Sequence, residues 1–116
     1  MRSLSYPSSD CSRALETGNE PFERIRLGRS AVEVTRLGFG AASIGGLFTA
    51  VDDDQAARTL DRAWELGIRY YDVAPLYGYG TAERRLGAAL SERPRESYVL
   101  STKVGRLVRS SAGLPA

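Results

Sequence analysis

Three short apolar runs alternate with two stretches of helical period, and that order restricts the fold more than any other feature of the chain. The runs are Leu37–Gly40, Ile68–Val73 and Tyr98–Thr102. Between the first two, Asp52-Asp-Asp-Gln55 opens a helix: Asp52 suits the N-cap, and the acids face the positive end of the dipole. Ala56, Ala57, Leu60, Ala63 and Trp64 then recur at helical spacing, and Gly67 stands where a left-handed C-terminal residue belongs. A second helix is expected over Thr81–Leu90, with Ala82, Leu86, Ala89 and Leu90 inward and Pro94 closing the segment. Strands joined by single helices must run parallel through right-handed crossovers, so the fold class is α/β.

Ahead of this core, Glu23–Leu27 and Val32–Val34 alternate about a Gly28-Arg-Ser30 turn, which predicts a small hairpin. Residues 1–21 are serine-rich and lack a sustained period, so they read as a disordered extension outside a domain at 22–116. Arg2, Arg13 and the serines faintly suggest a transit peptide, against which Asp10, Glu16 and Glu20 argue.

Composition removes several kinds of chemistry. The 116-residue chain has no histidine and one cysteine, Cys11. Histidine-based zinc sites, Ser-His or Cys-His catalysis and an internal disulfide are thereby excluded. A net charge of +2 is too balanced to point to nucleic acid, and Arg106 and Arg109 after Lys103 read as a solvated tail or an anion-contacting loop. No run of residues is long and apolar enough to suggest a membrane partner. A reducing cytoplasm is the expected compartment.

Strand parity singles out a set of reactive groups. Side chains alternate faces along a strand, so Tyr70 and Asp72 share one face, and Val99, Ser101 and Lys103 share one in the next run. If these strands are neighbours, Asp72 and Lys103 meet at their C-terminal ends, where α/β folds place their chemistry. Tyr77 follows in the loop after Asp72. A phenol with a pKa of about 10 transfers protons near neutrality only when a nearby cation favours its phenolate. Lysine is such a cation, and a carboxylate can hold it in place. Glu83, at the start of the second helix, is expected to serve the helix dipole. Gly38-Phe-Gly40 lacks the third glycine and the immediate helix of a dinucleotide fingerprint, and the Gly78-x-Gly80 loop lacks the Gly-Lys-Ser/Thr of a P-loop.

Leu37-Gly-Phe-Gly40, Tyr71-Asp-Val-Ala-Pro-Leu-Tyr77-Gly, Thr81-Ala-Glu83 and Ser101-Thr-Lys103-Val-Gly, in this order, resemble the N-terminal part of an aldo-keto reductase. The resemblance covers Phe22 to at least Arg109 and is most similar to the branch that oxidises sugars or pyridoxal. It implies a (β/α)8 TIM barrel with an N-terminal hairpin closing its bottom, of which this chain holds about three units. It further implies that Tyr77 is the general acid/base, that Lys103 lowers its pKa and that Asp72 partners Lys103. Gly40, Ala41 and Ala42, with Asp72 beside them, would lie near the nicotinamide of NADP or NAD, and the substrate would be a small carbonyl compound or a sugar. Two alanines stand where the family often has threonine or an aromatic residue. The family's fourth catalytic residue, a histidine beyond the third strand, has no counterpart here.

The chain therefore reads as a truncated portion of the barrel, expected neither to fold stably nor to turn over alone. An open third-strand edge and an uncovered apolar barrel interior are part of that expectation. The competing expectation is a genuine short chain that acts as a non-catalytic barrel fragment or interaction piece.

Overall fold

The computed structural model describes residues 20–108. The extension expected over residues 1–21 lies outside that range except for Glu20 and Pro21, as does Arg109. Pro21 already belongs to the fold, because its carbonyl accepts the N–H of Leu37 at 2.8 Å.

Strands β1 (Arg24–Arg26) and β2 (Glu33–Thr35) form the expected antiparallel hairpin. Three further strands, β3 (Phe39–Gly40), β4 (Tyr70–Asp72) and β5 (Val99–Ser101), build a parallel sheet in the order β3-β4-β5. Helix α1 (Asp53–Leu66) connects β3 to β4, and helix α2 (Thr81–Ser91) connects β4 to β5. Asp52 caps α1 through its side chain, which accepts the N–H of Gln55 at 2.7 Å, and Gly67 ends the helix in the left-handed conformation.

One face of the sheet packs against both helices. Tyr71 and Val73 from β4 and its extension are buried with Ala56, Leu60 and Ala63 of α1 and Ala82, Leu86 and Leu90 of α2. Ala57, expected on the inner face of α1, is exposed instead. It stands one residue, about 100° of helical rotation, from Ala56 and so falls outside the buried stripe. Trp64 is half-buried and packs edge-on against Tyr98 at 6.2 Å, with the Arg69 guanidinium 3.7 Å above its ring.

The opposite face carries Gly40, Asp72 and Ser101 in one register row and Tyr70 and Val99 in the row below. Among the described residues, no helix packs against it. The polar groups that strand parity assigned to the C-terminal end of this face stand there, in register across β4 and β5. Leu37, expected in a buried strand, is 49% exposed because β3 is an edge strand with no further strand beside it among the described residues.

The hairpin sits at the N-terminal ends of the parallel strands. Arg24 donates to the Ser97 carbonyl at 2.7 Å, and Thr35 Oγ1 accepts the Arg69 N–H at 3.2 Å. Both contacts lie just before β5 and β4, which leaves the C-terminal ends free for chemistry. No helix among the described residues is long and apolar enough to cross a membrane.

Candidate active site

Asp72 is the last residue of β4, and its register partner is Ser101, the last of β5. Lys103 lies two residues further on and returns to the same face, as the alternation of the strand requires. Its Nζ donates to Asp72 Oδ2 at 2.7 Å and to the Val73 carbonyl at 3.3 Å. Ser101 Oγ donates to the other carboxylate oxygen, Oδ1, at 2.6 Å. Each oxygen of Asp72 therefore has its own donor. Those bonds hold the Asp72 carboxyl below its ordinary pKa, the Lys103 ammonium contributing most and the Ser101 hydroxyl next. The Lys103 ammonium is held above its usual value, foremost by Asp72, with the Tyr77 phenol as a smaller cause.

Tyr77 comes from the loop between β4 and α2, and Lys103 Nζ stands 5.5 Å from its ring centroid. The structure thus brings Asp72, Lys103 and Tyr77 to one place. Two glycines fix the loop. A Cβ on Gly45 would lie 2.8 Å from the Tyr77 carbonyl carbon, and one on Gly78 would overlap the Gly45 carbonyl oxygen. Gly78 also has φ +63°, a conformation that favours glycine. The loop after β3 and the loop after β4 therefore touch backbone to backbone, and Tyr77 is held by that seam. Sequence reasoning missed this contact, since nothing local links residues 45 and 78. It also missed the role of Ser101, although strand parity already placed that hydroxyl beside Asp72 and Lys103.

Glu83 lies in the first turn of α2 and accepts the Thr102 hydroxyl at 2.9 Å. It thereby ties the start of that helix to the segment leading into Lys103, a role beyond the dipole. Of the three loop residues expected near a cofactor, Ala41 is fully buried in the core and its N–H is donated to the Asp72 carbonyl at 2.8 Å. Gly40, in register with Asp72, and the half-buried Ala42 remain accessible. A Cβ at Gly40 would meet no heavy atom within 4 Å, so the backbone in register with Asp72 is open on that side. Next to Tyr77, a cleft of about 400 Å³ is lined by Leu47, Ala74, Pro75, Leu76, Lys103, Val104 and Arg106.

A parallel α/β sheet thus carries a carboxylate, an ammonium and a phenol together at its C-terminal end, where α/β folds place their sites. The aldo/keto reductase family model matches residues 36–114, and the chain belongs to that family. D-threo-aldose 1-dehydrogenase of a Pseudomonas species is 52% identical over 80 residues, which are 69% of this chain and 24% of that protein. Pyridoxal 4-dehydrogenase of Microbacterium luteolum is 50% identical over 86 residues, 74% of this chain and 25% of that protein. Among solved structures, an aldo-keto reductase of Bacillus halodurans in its holo form superposes with TM-score 0.64 at 42% identity, over 72% of this chain and 26% of that one. The chain thus spans about a quarter of the length of these relatives. Its sheet, helices and hairpin are the N-terminal part of their barrel.

Proposed function

We propose that the protein carrying this chain is an oxidoreductase that interconverts a small aldehyde or ketone and its alcohol, with an aldose as the favoured substrate class. The observation that carries this reading is the 2.7 Å bond by which Asp72 holds Lys103 beside Tyr77, in a cleft whose wall is otherwise apolar except for Arg106. Tyr77 is the general acid/base: as phenol it gives a proton to a developing alkoxide, and as phenolate it takes one from a substrate hydroxyl. Lys103 sets its positive charge beside that phenol, and Asp72 keeps the charge in place. NAD or NADP, when bound, supplies or takes up the hydride. Gly40, Ala42 and Asp72 are the residues of this chain that would border its ring. The aldose preference is supported by the similarity to D-threo-aldose 1-dehydrogenase. A cytoplasmic location belongs to the same reading and rests on the match to the aldo/keto reductase family.

The test is turnover of a panel of aldoses and aldehydes by the full-length protein that contains this sequence. Tyr77→Phe is expected to lower kcat at least about 100-fold, the usual worth of a positioned acid/base. Cofactor binding, followed by NAD(P)H fluorescence, should be nearly unchanged. Wild-type turnover in the phenylalanine variant overturns the assignment.

A further inference from the structure

Asp72 has two carboxylate oxygens and a terminal torsion that is intrinsically broad, so Lys103 alone does not fix how the group is turned. The second donor does. Ser101 is in register with Asp72 on the adjacent strand, on the same face, and its Oγ lies 2.6 Å from Oδ1. An ionised carboxylate accepts only, so the single hydroxyl proton of Ser101 is committed to it. Tyr70 OH, 3.4 Å from Ser101 Oγ, must then be the donor in that contact. The result is a one-way row of donors, from Tyr70 to Ser101 to Asp72, met from the other side by Lys103.

We propose that Ser101 is a positioning residue of this site, turning Asp72 so that Oδ2 holds the Lys103 ammonium at the Tyr77 phenol. Resting on the acid/base role given above to Tyr77, the inference adds a residue that acts through Asp72. Tyr70 plays a lesser part by holding the Ser101 hydroxyl from behind. The depressed pKa of Asp72, to which the Ser101 bond is the second contributor, accords with this arrangement.

Threonine and valine have nearly the same shape, so Ser101→Thr and Ser101→Val differ only in the hydroxyl. In the full-length protein the threonine variant should keep turnover close to wild type. The valine variant should lose about tenfold in kcat, the worth of one hydrogen bond to a charged group. By 13C NMR its Asp72 carboxyl should titrate at a higher pH than in the threonine variant, because one of its two donors is gone. Cofactor dissociation constants should match. A purely structural role would not split the two variants in Asp72 titration while leaving cofactor binding equal. Equal kcat and equal Asp72 midpoints overturn the proposal. Tyr77→Phe measured alongside separates the two ideas: if it remains active, the acid/base reading itself fails, whereas an inactive Tyr77→Phe with equal threonine and valine variants removes only the role of Ser101. Should the added methyl unfold both variants, Ser101→Ala adds no atom. Its Asp72 carboxyl, followed by 13C NMR, should titrate at a higher pH than in the wild type, and an unchanged midpoint rejects the proposal.

Discussion

At the scale of single residues, the Asp72–Lys103 pair sets the pH range over which the site keeps its form. Asp72 is held below its ordinary 3.8, so the stability it contributes is present above that value and is lost only as pH falls through the lower folded pKa. Lys103 is held above its ordinary 10.5, so its contribution is complete below that value and is lost as pH rises through the higher folded one. The pair is therefore charged throughout the neutral range. Both side chains are partly open to solvent, which limits what the pair adds to overall stability and leaves its main effect on placement. In Lys103→Met the Asp72 carboxyl loses its strongest partner, and its midpoint, read by 13C NMR of the full-length protein, should move up toward the ordinary value. A midpoint that stays where it was would show that Ser101 alone holds the carboxylate. The meeting of Asp72 and Lys103 was legible in the sequence because a period of two fixes which side chains share a face. The Gly45–Gly78 seam that holds Tyr77 was not, because it joins two backbones far apart in the chain and involves no side chain at all.

At the scale of elements, both helices were legible from their apolar stripes, but the width of each stripe was not. Ala56, Leu60 and Ala63 are buried on α1 as the spacing predicts, whereas Ala57 next to them faces solvent. Periodicity gives the direction of a face, and only the neighbouring element decides where it ends. Arg85 illustrates the same limit. A charged residue on α2, it donates to Asp53 Oδ1 at 2.7 Å, the Ile44 carbonyl at 2.6 Å and the Val51 carbonyl at 2.8 Å. It thus fastens the loop after β3 to the second helix, on the same side as the glycine seam. Packing and position together predict unequal costs for two small changes. Leu86, 1% exposed, sits where α2 meets the sheet, and Leu86→Ala should cost about 2–5 kcal/mol of stability. Ala57→Ser, on the open face of α1, should change it by no more than about 0.5 kcal/mol. Denaturant unfolding of the full-length variants checks both. Equal effects would mean that α2 is not packed as described.

At the scale of the whole molecule, the hairpin closes one end of the sheet while the sheet's two sides differ in what covers them. The helical side is buried, and the hairpin is anchored beneath it through Arg24 and Thr35. On the outer side of β5, Leu100 points toward the helical layer yet is 40% exposed, and Val104 beyond it is 97% exposed. Both β3 and β5 are edge strands among the described residues. Unpaired strand edges and exposed apolar side chains offer a template for further pairing, either with the rest of a barrel or with another chain. A sheet of strands two or three residues long has few ladder bonds with which to resist that. The 116-residue chain, expressed alone, should therefore show a broad, low-enthalpy thermal transition and concentration-dependent association in sedimentation experiments. Joined to the five further strands and six further helices of a complete (β/α)8 barrel, the same residues should unfold in one cooperative step. A sharp transition of the isolated chain, with calorimetric and van't Hoff enthalpies equal, would show that three strands, two helices and a hairpin are sufficient as a folding unit. In that event the edges of β3 and β5 would be those of a genuine short protein, and its use as an interaction piece would displace its use as part of an enzyme.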